Sequence, residues 1–553
     1  STLSLALAAI VGILGGVVAG GMLLTKPNRP APAALAAAAS QSFPEPGVRD
    51  AAERYGPEAS GPGLYPLQTA VALPLFESVR SSASDFASAL IPFSLTQIPG
   101  AESASTGVWL PLGEPTTTPS PSPPDPASPP PPLAISDVQA VSVTAFSATI
   151  SWKTSEPVSS RAAYGIETPT LWTPPAAPST DHVATLTGLS FDTNYRVSLD
   201  AAAADGRRVS APFLMTTPGL PAGATMVADA DVLRVDGQPF FPTIVWNACA
   251  DRYPIQLAAG IDLFMGNGCG TGEEQLQRLH GRALSITAAD GPGVDGSGLA
   301  GTFLPDEWDL HLPGTLSSAE AADLSTTSSP GLPRWLTLTN HFYSHASPLP
   351  QGKGLYPALV ANAEVLGFDL YPLQSWCRWD SFGDVFASQQ ELVRLAHGKP
   401  TFQWIEARKM DCADPRLEPT PETVRAETWL AIAGGAHGIG YFPHDWSPEI
   451  AAEIAQEKRE IETLLPALTQ PALAANAAGS IRVGARELNG AVYVIAVNAS
   501  RTPTTGTIAV PALGDRSLVT LDGARAIASS AGSFSDTFGP LEVRVYVSSP
   551  PTL

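Results

Sequence analysis

Between residues 225 and 472 short apolar runs recur along the chain, and several are followed by stretches with helical spacing. The runs are 241–246, 261–265, 283–286, 299–304, 335–339, 365–370, 401–405 and 438–442. Apolar runs of this length, bounded by turn residues, are the signal of strands buried on both faces, as in a parallel sheet. Helical spacing follows at 388–397, 421–433 and 448–468. Eight such strands with intervening helices over about 250 residues predict an α/β TIM barrel. A doubly wound open sheet is the alternative, but no glycine-rich phosphate loop follows the first run. The period changes to strict alternation on both sides, at 133–219 and 477–549, which predicts a β-sandwich before the barrel and a smaller one after it.

Upstream the pattern is different again. Residues 1–26 are apolar, with no charge before Lys26, and are long enough to cross a bilayer at about 20 residues per spanning helix. Gly12, Gly16 and Gly20 recur at a spacing that lets another helix approach closely. The expected element is a membrane anchor or an assembly helix; a secretory signal peptide is the alternative, with its nearest small-residue cleavage site far downstream at 37–39. Lys26 and Arg29 follow the apolar stretch, and the chain opens on Ser1, so a basic leader is expected upstream, cut off or absent by truncation. Residues 27–132 are a linker rich in Pro, Ala and Ser. Its 115–132 segment favours extended polyproline II and reaches about 3.1 Å per residue.

The hydrophobic start resembles type IV pilins and archaellins, whose mature chains begin with the helix that packs in a filament core. Leu5 stands where bacterial major pilins carry Glu. In 133–219, Trp152, the Tyr164-Gly165 pair, and Leu186 to Leu189 leading into Tyr195 resemble a fibronectin type III domain. The resemblance implies a core tryptophan at Trp152 and a tyrosine corner at Tyr195.

Charge narrows the partners. With 31 Lys+Arg against 52 Asp+Glu the chain carries −21, so a nucleic-acid backbone is repelled on average. The 55 Pro and 48 Gly with few charged residues suit an extracellular protein. Cys249 with Cys269, and Cys377 with Cys412, fall in loops after neighbouring strands, where two disulfides would imply an oxidising location; four buried thiols are the other reading. The histidines lack the paired spacing of a zinc site, and no metal or other cofactor is expected. A Gly-x-Ser-x-Gly elbow is also absent.

In a TIM barrel chemistry sits at the C-terminal ends of the strands. The fourth run is followed by Asp306-Glu307-Trp308-Asp309 and the seventh ends on Glu406. With Gly367 to Pro372 and Gln403 to Glu406, the region resembles clan A glycoside hydrolases. That resemblance implies retaining hydrolysis of a glycosidic bond, with Glu307 as acid/base and Glu406 as nucleophile. Asp306 stands where the family has Asn, which leaves Asp306 or Asp309 as alternative acids and a capped acidic loop as the plain structural reading. His341, Tyr343 and Tyr371 are candidates to orient the nucleophile. Trp246, Trp376, Trp404 and Trp446 are candidates to stack on sugar rings, and Asp369 and His444 lie in the same loops. Asn498-Ala-Ser500 matches a glycosylation acceptor. The expected partner is carbohydrate. Two functions follow: a surface-tethered glycosidase on a fibronectin-type stalk, or a filament subunit whose barrel binds sugar or only decorates the surface.

Overall fold

The computed structural model describes residues 131–288, 298–311, 331–350 and 352–549. The apolar stretch 1–26 and nearly all of the 27–132 linker lie outside the described residues. Among the described residues no helix is long and apolar enough to cross a membrane.

The first domain has six antiparallel strands: β1 (Ile135–Val143), β2 (Ser147–Gly165), β3 (Leu171–Trp172), β4 (Ala176–Thr187), β5 (Asn194–Ala202) and β6 (Arg208–Thr216). The long β2 pairs with β1 and β4 along its first half and with β5 along its second, and its register with β4 shifts between Lys153 and Val158. Pro157 lies in that interval and has no N–H for a ladder, so the strand changes partners there. Alternating residues Ile150, Trp152, Tyr195, Val197 and Leu199 are buried on one face of this sheet's strands.

Three short strands follow: β7 (Met226–Asp229), β8 (Val232–Val235) and β9 (Gln238–Phe240). Their Met226, Leu233, Val235 and Phe240 pack against Ile244, Leu263, Leu284 and Phe402, and so close the N-terminal end of the sheet that follows. That sheet is a closed, all-parallel barrel of eight strands: β10 (Thr243–Trp246), β11 (Leu263–Met265), β12 (Leu284–Ala288), β13 (Leu299–Phe303), β14 (Arg334–Thr339), β15 (Val365–Asp369), β16 (Thr401–Glu406) and β17 (Ile439–Phe442). β17 pairs with β10 and completes the ring. The eight runs read from the sequence are these strands, and the open-sheet alternative falls.

Seven helices lie among the described residues: α1 (Tyr253–Ala258), α2 (Gly272–Leu279), α3 (Trp308–His311), α4 (Tyr356–Ala361), α5 (Phe382–Ala396), α6 (Pro421–Gly434) and α7 (Pro448–Leu468). A Thr420 capping box with Pro421 in the first turn starts α6, and Gly435 in the left-handed region stops it. After α7 come β18 (Asn476–Ala477), β19 (Ile481–Leu488), β20 (Ala491–Asn498), β21 (Thr504–Ala509), β22 (Ser517–Thr520), β23 (Ala526–Ala528), β24 (Ser533–Phe538) and β25 (Val543–Ser548). They form a three-stranded and a five-stranded sheet around a shared apolar core.

Two sequence readings are settled here. Cys249–Cys269 and Cys377–Cys412 are both disulfides, and each ties the loops that follow two neighbouring strands at the C-terminal end of the barrel. Asn498 is fully buried, and its amide donates to Thr502 O and Gly539 O, so it is no exposed glycosylation acceptor.

Candidate functional site

Parallel strands place residues of the same register in one layer, so the last inward residue of each strand rings the mouth. In this barrel Asp369 is level with Thr339 on one side and Trp404 on the other. Across the ring, Trp246 packs edge-on against Phe303 at 4.9 Å and against Trp404 at 6.2 Å between ring centres. Tyr371 and Phe442 stack at 6.1 Å. These rings, with Met410, belong to one apolar cluster, which makes the mouth a largely aromatic funnel. Trp404 donates its indole N–H to Thr337 Oγ1, so its plane is fixed.

The carboxyl groups gather on one side of this funnel. Glu307 adopts a left-handed backbone (φ 45°), a conformation uncommon for a side chain of its size. Its carboxyl shares a hydrogen bond with that of Asp369, with Asp306 and Asp309 near by. Two carboxylates cannot hydrogen-bond without a proton between them. Burial raises Asp369 well above the usual carboxylate range, and the neighbouring charges of Glu307, Asp306 and Asp309 push it further. Asp309 is fully buried and accepts from Thr339 N, Thr339 Oγ1 and Tyr356 OH, so it anchors the loop and is withdrawn from the mouth. His444 lies against the backbone of Trp246, and burial lowers its pKa.

Glu406 lies elsewhere. It is 0% exposed, and its two oxygens accept the N–H groups of Leu373 (2.7 Å) and Gln374 (2.8 Å). Its carboxyl neighbour is Glu427 on α6, whereas that of Glu307 is Asp369. The Glu307 and Glu406 carboxyls, read from the sequence as one pair, thus have different partners. Three further candidates are engaged by other partners. Tyr343 donates to Asp384 Oδ1 on α5 (2.6 Å), His341 Nδ1 bonds Ser347 O, and Trp446 donates to Pro443 O. Trp376 lies on the rim loop beside Arg378. Trp246, Asp306, Glu307, Asp369, Tyr371, Trp404 and His444 do come together. Phe303, Phe442 and Glu427 were not singled out from sequence. Phe303 and Phe442 carry a legible signal, since each ends a barrel strand; Glu427 carries none, being one polar position on a helix. Among the described residues no group of three or more His, Cys, Asp or Glu is placed to hold a metal ion.

No family model and no curated protein matches this chain. Several solved glycoside hydrolases are similar in structure. A GH27 β-L-arabinopyranosidase from Geobacillus stearothermophilus, in complex with arabinose, is 14% identical over 54% of this chain, with a TM-score of 0.32. This chain spans 62% of that enzyme's length, less than two thirds of it. An α-galactosidase I from Mortierella vinacea is 11% identical over 56% of this chain and 96% of its own, with a TM-score of 0.37. For a GH30 endoxylanase from Clostridium papyrosolvens C71 the values are 10%, 60%, 100% and 0.34. At these scores the likeness decides neither activity nor substrate.

Proposed function

We propose that the barrel is a carbohydrate-active module whose site is the aromatic funnel, with Asp369 as proton donor and Glu307 as the carboxyl that opposes it. The observation that carries this reading is the buried Asp369 carboxyl set against Glu307 at the strand ends beside Trp246 and Trp404. Glycoside hydrolysis needs one carboxyl kept protonated near neutral pH and one kept ionised, and aromatic faces stack on the apolar faces of sugar rings. In this reading Glu406 is not the nucleophile, because its oxygens are occupied by backbone donors and closed to solvent.

A second reading is favoured by one specific observation. Hydrogen-bonded carboxyls are closer than the roughly 5 Å of a retaining pair or the longer gap of an inverting one. A sugar would have to part them, and if it does not, the funnel binds without cleaving. The first domain supports a fibronectin type III stalk: Trp152 is buried, and the Tyr195 hydroxyl accepts the Ser190 N–H as a tyrosine corner does. Two disulfides support an oxidising, extracellular setting. Surface tethering or filament assembly through residues 1–26 completes the proposal.

The test is a panel of neutral oligosaccharides assayed for reducing-end release and for binding. Hydrolysis is expected to fall at least about a hundredfold in Asp369→Asn and Glu307→Gln, the order of a lost acid/base group, with binding retained. Activity in the wild type is expected to decline as pH rises through the raised Asp369 value. Hydrolysis that survives both substitutions, or that is lost only in Glu406→Gln, would sink the assignment. Binding without turnover would select the second reading.

A further inference from the structure

A second set of carboxyl groups lies where α6 packs against β16. Glu427, on α6, is fully buried, and what it meets is Glu406, both its carboxyl and its backbone N–H. We propose that Glu406 and Glu427 form a carboxyl–carboxylate pair that positions the mouth loop 370–378. The loop is held through its backbone: Glu406 takes the Leu373 and Gln374 N–H groups, one on each oxygen. Gln374 then carries the hold onward, donating to Leu417 O and accepting from Met410 N, and Cys377–Cys412 closes the same two loops covalently. The loop begins directly after Asp369 and carries Tyr371.

The hold depends on a proton. With Glu427 protonated, its O–H donates to Glu406, whose oxygens keep both backbone amides. With both groups ionised, two buried charges face each other, and the Glu406 backbone N–H is the donor left to Glu427. Burial pushes Glu406 up to about 7, against the Leu373 and Gln374 N–H groups, which favour the ionised form; burial and the Glu406 charge raise Glu427 well above the usual carboxylate range, against the Glu406 backbone N–H. The other groups facing the pair offer no relief. Glu457 on α7 adds negative charge and is occupied by Tyr441 OH from β17 and by Thr428 from α6. Arg425, the cation of α6, bonds Glu453 and Glu460. Loss of the second proton therefore repels Glu427 from Glu406 and loosens the loop, while the disulfide prevents its wholesale detachment. Glu406 is thus a positioning residue. The effect on Asp369 chemistry rests on the function proposed above; the hold on the loop does not.

The measurement is amide hydrogen exchange at Leu373 and Gln374 in the whole chain, as protection factors corrected for intrinsic exchange, from about pH 6 to about pH 9. Wild type is expected to lose about tenfold in protection across that range, while Glu427→Gln, which supplies Glu406 with a permanent N–H donor, stays flat. Protection that is unchanged in wild type, or that falls as steeply in Glu427→Gln, overturns the proposal. The wild-type profile alone decides it if the variant does not fold. Because exchange needs no turnover, a loop that responds in a protein that cleaves no sugar leaves the positioning role intact and removes only the enzymatic reading.

Discussion

One short stretch of sequence, Pro305 to Asp309, shows how neighbouring acids acquire different tasks from their surroundings. Glu307 is turned toward Asp369 by its left-handed backbone, whereas Asp309, two residues on, is swallowed by three donors from Thr339 and Tyr356. Asp309→Ala leaves those three donors without this acceptor, and a cost of about 3 kcal/mol is expected because each buried unpaired group costs roughly 1–3 kcal/mol. Urea unfolding, read as a shift of midpoint at constant slope, checks this; a shift below about 1 kcal/mol contradicts the anchoring role. The sequence placed Asp306, Glu307, Asp309, Asp369 and Glu406 at strand ends. It could not say which carboxyl meets which. Pairing depends on the register of β13, β15 and β16 and on the path of the following loops, neither of which is encoded in local spacing.

The elements were legible to different degrees. Apolar runs marked every barrel strand because a parallel sheet is buried on both faces and its strands are mostly apolar. The β7–β9 unit that seals the barrel floor was not marked as such: its strands are short, and they look ordinary until they pack on Ile244 and Leu263. Helices α6 and α7 carry a burden that their sequences do not announce, since Glu427 and Glu457 read as outward-facing polar positions and are both fully buried. Burial raises Glu457 to about 8, although Tyr441 and Thr428 donate to it. A carboxyl raised in the folded state binds its proton when the unfolded chain has lost it, so stability is highest in acid and falls as pH rises from about 4.5 to about 8. The slope is about 1.4 kcal/mol per pH unit for each such group. Melting temperatures measured across this range should decline in wild type and decline less steeply in Glu457→Gln; equal slopes would show that Glu457 does not titrate there.

For the molecule as a whole α7 acts as a spine. Its Lys458 bonds Asp262, at the base of the barrel, and its Arg459 reaches Glu167 in the first domain. Gly188 of the first domain lies so close to Pro466 that an added Cβ would sit 2.9 Å from its ring. The C-terminal sandwich joins the first domain directly, through Tyr493 OH and Thr170 O. With one continuous apolar core running through all three, residues 131–549 are expected to unfold in a single calorimetric transition. Leu465→Ala is expected to lower that transition as one, at a cost of about 2–5 kcal/mol. Two resolved transitions would mean that the domains are only tethered.

By itself the sequence determined the eight barrel strands, the placing of the four cysteines in loops after neighbouring strands and the presence of acidic and aromatic residues at the strand ends. Each of these follows from local periodicity or from which loops adjoin which strands. The tertiary structure alone decided that Glu307 faces Asp369, that Glu406 is closed off with Glu427, and that Asn498, His341, Tyr343 and Trp446 are engaged elsewhere. Those are contacts between segments tens of residues apart, and they are set by strand register and helix packing, which no single stretch of the chain specifies.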